Sequence, residues 1–147
     1  MRHFRRRLGT ERGVALIETA LTLPLLLLVA VSIFEFGKAY QTWQVLTNAA
    51  REGARVAVLP NAPTGASAAR VQSYLQSGQL SGWAAATTVQ TTVSIAIGGG
   101  VSAPASRVTV TYPFAFTVLQ PVARLLVNGS TVGAPLTMTA SAVMRNE

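Results

Sequence analysis

The chain has 147 residues, with 12 Lys and Arg against 5 Glu, no Asp, no Cys, one histidine (His3) and a formal net charge of +7. Those counts exclude disulfides and thiolate metal sites, and they leave too few carboxylates and imidazoles for general acid/base catalysis or for a zinc or calcium cage. Ten serines are present, but Lys38 is the only conceivable base beyond residue 13, so no enzyme activity, no cofactor and no small-molecule substrate are expected.

The positive charge is uneven. Arg2, Arg5, Arg6, Arg7 and Arg12 against Glu11 give residues 1–13 a net +4, and the rest is scattered over positions as far apart as Arg70, Arg107, Arg124 and Arg145. A nucleic-acid reader concentrates basic residues on one face with interleaved aromatics, so no nucleic-acid partner is expected.

After the cationic leader, residues 14–37 hold an apolar run from Val14 to Phe36. About 20 helical residues at 1.5 Å each match a hydrocarbon core of about 30 Å, so this run can cross a bilayer once. Cationic flanks stay cytoplasmic, which leaves residues 1–13 inside and exports the chain beyond Lys38. The expected topology is therefore a single membrane pass with a cytoplasmic N-terminus.

Residues 38–59 are expected to continue the same helix outside the membrane until Pro60 ends it. Pro24 is tolerated within a span, and Gly37 costs about 1 kcal/mol relative to Ala without forbidding helix. Tyr40 and Trp43 suit either the headgroup layer or a cover over the domain's own core. Ala49, Ala50, Gly53, Ala54 and Ala57 form a small-residue face that lets either the protein's own sheet or a neighbouring copy's helix pack closely. Arg51 and Arg55, one turn apart with Glu52 near by, mark the solvated face. With Trp83 they are the candidate partner surface.

Residues 60–147 are expected to form one exported α+β domain. Asn61 to Ala66 reads as a loop, and Ala68 to Gln76 as a short helix with Val71, Tyr74 and Leu75 inward. Period-two patterns follow. Val89, Val93, Ile95 and Ile97 share odd positions before Gly98-Gly99-Gly100 turns the chain. Val108, Val110, Tyr112, Phe114 and Phe116 alternate with polar residues, and so do Leu136, Met138, Ala140, Ala142 and Met144. Each strand has one apolar and one threonine-rich face, as in an antiparallel sheet covered on one side by helix. Asn128 to Ala134 is a further loop.

Glu18 carries the sharpest chemical question, because a charge in the middle of a spanning helix costs about 2.5 to 3.5 kcal/mol, and less near the boundary. On an intact chain its carboxylate can snorkel to the cytoplasmic headgroups. If a peptidase cuts after Gly13, the new amine of Val14 is a charge at the end of a hydrophobic helix, and Glu18 of a staggered neighbouring copy can pair with it. Cationic leader, glycine, apolar helix and Glu at mature position five are the elements of a type IV prepilin signal.

At these residues the chain resembles the TadE-like pseudopilins of the tight-adherence (Flp/Tad) branch of type IV pilus machinery. The resemblance rests on Arg12-Gly13 with Val14-Ala-Leu-Ile-Glu18, then Leu23-Pro24-Leu25-Leu26 and Phe34-Glu35-Phe36-Gly37. Asn48-Ala-Ala-Arg51-Glu52-Gly53-Ala54-Arg55 is similar to the block after the span, and Ser141-Ala-Val-Met-Arg145 to the family's ending. Thr19 departs from the aromatic that often follows the Glu.

The resemblance implies a pilin-like α+β fold, with a long N-terminal helix on an antiparallel sheet of about three strands. It implies cleavage between Gly13 and Val14 by a prepilin peptidase and a non-enzymatic role as a minor subunit. The implied partners are other pilins or pseudopilins and an inner-membrane assembly platform with its ATPase. Two further readings stay open at this point: an unprocessed single-span scaffold of an envelope complex, and a secretory signal releasing a soluble domain. The lack of a clear A-x-A site after Glu18 argues against the second.

Overall fold

The computed structural model describes residues 5–80 and 85–146, with side chains from Gly13 onward. In chain order these residues form helix α1 (Arg5–Ala57), helix α2 (Ala66–Ser77), strand β1 (Ala86–Gly98), strand β2 (Val101–Phe114), helix α3 (Leu119–Leu126) and strand β3 (Leu136–Arg145). They divide into two compact units, Lys38–Ala115 with Pro135–Glu147, and Met1–Gly37 with Phe116–Ala134.

The first unit is the α+β domain. Its sheet has the order β1-β2-β3 with both pairs antiparallel, and the distal part of α1 packs on it together with α2. Leu46, Ala49, Ala50 and Ala54 of α1 are fully buried with Val71 and Leu75 of α2 and Val108 and Val110 of β2, and Ala140 of β3 is buried with them. Burying each of the larger aliphatic side chains contributes about 1.5–3 kcal/mol. The small-residue face of α1 therefore meets the protein's own sheet and α2. Gly53 is the point of closest approach: a Cβ there would lie 2.5 Å from Val71 Cγ2 and 3.1 Å from Val108 Cγ1. The Gly53 carbonyl also accepts a 2.8 Å hydrogen bond from Ser67 Oγ, so α2 is held to α1 at the position where the side chain is missing.

Helix α2 ends in a Schellman arrangement, in which Leu80 N–H donates to the Leu75 carbonyl and Gln79 N–H to that of Gln76. The left-handed residue is Gln79, at φ 61°. The glycine beside it serves another purpose, because Gly78 has an ordinary φ of −81° while a Cβ on it would meet Val45 at 2.6 Å. Leu80 closes the motif by packing on the core.

Strands β1 and β2 are joined through Gly99 and Gly100, at φ 62° and 77°. Two successive positive-φ residues make the tight turn whose twist matches a hairpin, and glycine takes them without penalty. The alternation expected in β2 and β3 is present: Val108, Val110 and Phe114 are buried, Tyr112 is partly buried, and Thr137, Thr139 and Ser141 are exposed. Phe116 lies beyond the end of β2.

Strand β1 differs from its expected pattern. Val89 pairs opposite Val108, but Val93 pairs opposite Ala105, with an irregularity between Gln90 and Val93. Pairing of β2 with β3 is unbroken from Ala105 to Phe114, so Val108 and Ala105, three residues apart, lie on opposite faces. Val89 and Val93 therefore do so too. The extra residue of a bulge changed the parity that a strict count of odd positions takes as constant. Asn146 ties this region together: its Nδ2 donates to the Thr91 carbonyl at 3.3 Å and its Oδ1 accepts from buried Ser106 Oγ at 2.8 Å.

In the second unit, α1 passes through Pro24 without interruption. A proline removes one ladder bond, here the one that the Ala20 carbonyl would accept. Nearby hydroxyls add bonds of their own, with Thr19 Oγ1 donating to the Ala15 carbonyl at 2.8 Å, Thr22 Oγ1 to Glu18 at 2.9 Å and Ser32 Oγ to Leu28 at 2.7 Å. Such back-bonding satisfies hydroxyls where no water is available. The apolar window of this helix is entirely unburied by the rest of the protein, unlike the core helix of a soluble domain.

Candidate functional site

Gly13, Val14 and Glu18 all lie on unbroken α1. Val14 and Glu18 are separated by four residues, one helical turn or about 6 Å of rise, and so project from the same face. Both are exposed. Among the described residues nothing lies within 4 Å of where a Cβ on Gly13 would stand, so neither their packing nor a left-handed backbone requires glycine there. Gly37 shares that open setting.

Arg51 and Arg55 are exposed on the helix surface. They do not converge with the N-terminal residues. Glu52 between them reaches Arg70 of α2, whose Nη2 and Nε lie 3.0 and 3.3 Å from Oε2, and Arg55 approaches the same oxygen at 3.8 Å. Arg55 is thus partly committed to an intramolecular pair. Trp83, the third residue of the expected partner surface, lies outside the described residues. Trp43 is 46% exposed, and its ring centroid is 6.3 Å from that of Tyr40, outside the core. Among the described residues no three His, Cys, Asp or Glu side chains come together to hold a metal.

One polar residue has a sharper setting than the expected sites. Glu35 is only 7% exposed, and its Oε2 accepts a 2.8 Å hydrogen bond from the Thr117 backbone N–H. One residue along on each side, the Phe36 and Phe116 rings meet edge to face with centroids 5.7 Å apart. The segment between β2 and β3 is thereby clasped to α1 at the end of its apolar run. Helix α3 follows two residues later, with Leu119 and Ala123 buried.

A signal for Glu35 exists in the sequence. The buried positions of α1 step back from Gly53 through Ala49, Leu46, Thr42 and Ala39 to Glu35, at alternating spacings of four and three residues, the rhythm of one helix face. Counting that rhythm past the end of the obvious small-residue stripe reaches the carboxylate. Helix α3 had no comparable signal, because Val118 at its start provides no side-chain cap, and eight residues hold barely two turns of periodicity.

Residues 13–55 match the family of TadE-like proteins. The matched stretch begins at Gly13 and ends at Arg55, so the TadE-like segment contains Val14, Glu18, the clasp residue Glu35 and the Arg51 and Arg55 pair. It lies wholly within α1, the helix whose sequence motifs carry most of the resemblance, and the family resemblance is thereby supported over that stretch. No curated protein and no solved structure matches the chain. The TadE-like match, together with the one helix among the described residues that is long and apolar enough to cross a membrane, points to a Tad pilus-related component with a single-span membrane anchor.

Proposed function

We propose that the chain is a minor pseudopilin of a Tad-type pilus or related secretion apparatus, non-enzymatic and held in the bacterial inner membrane with its N-terminus cytoplasmic. In this reading residues 1–13 are a leader removed by a prepilin peptidase between Gly13 and Val14. Residues 14–37 span the membrane, 38–59 extend the helix, and 60–147 are exported. The new Val14 amine pairs with Glu18 of an adjacent, staggered copy or of another pilin, which lets a hydrophobic helix leave the bilayer in register with its neighbours. The inner-membrane platform is the machine that moves it, and Arg51 and Arg55 offer a solvated surface to a partner.

The observation that carries this reading is Gly13 itself. A glycine within a helix costs about 1 kcal/mol relative to Ala, and here it has open space around it and starts the TadE-like match. A residue that the fold does not need is accounted for by a peptidase that does. Replacing Glu18 with Gln or Ala tests the pairing: pilus assembly is lost while membrane insertion survives, and normal piliation in both variants contradicts the proposal.

A second reading is an unprocessed single-span scaffold. It is favoured by the continuity of α1, which runs unbroken across Gly13 from Arg5 and needs no cleavage to form a stable span. In that case Gly13→Leu leaves both chain mass and function unchanged.

A further inference from the structure

We propose that the segment from Phe116 to Val132 is a second membrane-contacting element, which lays α3 on the bilayer surface where the span emerges and is positioned there by Glu35. The proposal rests on α1 crossing the membrane and is independent of whether the leader is cleaved.

Three observations carry it. The first is depth. From Val14 to Glu35 the helix rises about 32 Å at 1.5 Å per residue, close to the hydrocarbon thickness of about 30 Å, so Glu35 stands at the boundary of hydrocarbon and headgroups. The clasp of Glu35 to Thr117 and of Phe36 to Phe116 brings the start of the segment to the same level. The second is the face that is left uncovered. Leu119 and Ala123 turn inward, whereas Leu125 is 85% exposed and Leu126, Val127, Val118 and Val132 are exposed with it. A water-facing surface segment rarely gathers so many large aliphatic residues.

The third is charge. Between Phe116 and Val132 there is no carboxylate, and the only charged residue is Arg124, which lies in the last turn of α3 and is exposed. A long cationic side chain beside aliphatic residues can cover apolar surface and keep its guanidinium among lipid phosphates. A soluble partner's groove would satisfy the aliphatic face equally, but continuity with the lipid-facing surface of α1 at Phe36 favours the bilayer. Interfacial helices of this kind sink their apolar face about 5–10 Å into the boundary between headgroups and acyl chains.

Glu35 acts here as a positioning residue. A carboxylate at the edge of hydrocarbon is costly unless hydrogen-bonded, and the Thr117 N–H meets that need only while the segment is docked. Release of α3 therefore leaves a poorly solvated carboxylate, which holds the segment down.

The absence of native cysteine makes the test direct. A nitroxide is attached to Leu126→Cys or Val132→Cys in the full chain, reconstituted in vesicles of phosphatidylethanolamine and phosphatidylglycerol, with Ser141→Cys on the exposed sheet face and Leu26→Cys in the span as references. The proposal expects labels at 126 and 132 to be relaxed by oxygen in preference to a water-soluble nickel chelate, between the reference values and nearer the span. Adding Glu35→Ala shifts both toward the aqueous value while Glu35→Gln, which keeps an acceptor oxygen, does not. The Ser141 label serves as a check that the sheet unit is unchanged. A label at 126 as open to the chelate as that at 141 overturns the proposal, and so does one shielded from both relaxants, which identifies a protein partner or second copy on this face instead. A Leu125→Ser, Leu126→Ser double variant, labelled at 132, leaves the clasp intact and is expected to lose the oxygen preference by itself.

Discussion

Glu35 Oε2 and the backbone N–H of Thr117 meet at 2.8 Å across 82 residues of sequence, so a carboxylate at the end of the apolar run fixes the start of the excursion between β2 and β3. A hydrogen bond to a charged group is worth about 1.5–3 kcal/mol, a substantial share of what orders the start of a short segment. Glu35→Ala is expected to raise the hydrogen-exchange rate of the Thr117 amide by about tenfold or more, with Glu35→Gln between it and the parent. Unchanged protection in the alanine variant would mean that contacts other than this hydrogen bond, the Phe36–Phe116 pair among them, hold the segment.

Gly53 is expected to tolerate no side chain. On an exposed helix, Gly→Ala gains up to about 1 kcal/mol, but here the added carbon meets Val71 at 2.5 Å and Val108 at 3.1 Å, and overpacking of this kind costs about 1–3 kcal/mol. Gly53→Ala therefore lowers the thermal midpoint of the full chain in detergent, and Gly53→Val lowers it further. A rise in the midpoint for the alanine variant contradicts the close approach.

Neighbouring positions at the end of α2 should respond with opposite signs. Gly78→Ala drives a Cβ against Val45 and destabilises, whereas Gln79→Gly relieves a non-glycine residue at φ 61° and is neutral or stabilising by up to about 1 kcal/mol. Urea unfolding of both variants under one set of conditions checks the pair. Equal losses from the two changes would show that the left-handed residue is not at 79.

Much of the fold is legible in the sequence because its signals are local and repetitive. The period-two runs of β2 and β3, the small-residue face of α1 and the Gly99-Gly100 turn each state their geometry within about ten residues. What the sequence hides depends on contacts between distant segments. The bulge in β1 shows only in its register against β2, beside the bonds of Asn146, none of which a count along β1 contains. Glu35 was readable as a boundary carboxylate and, by stepping back along the buried positions of α1, as an inward one. Its partner was not, since any backbone N–H can serve and only the return of the chain selects Thr117. Gly13, Val14 and Glu18 are the reverse case, plain in the sequence and set in a helix where little touches them.

The measurement that tests the central claim most directly is the intact mass and N-terminal sequence of the chain purified from membranes of cells with and without a prepilin peptidase. Cleavage between Gly13 and Val14 predicts a start at Val14 only when the peptidase is present, and the full-length chain otherwise. A start at Met1 or Arg2 in both would falsify the processed pseudopilin and leave a single-span scaffold with Glu18 as a boundary carboxylate.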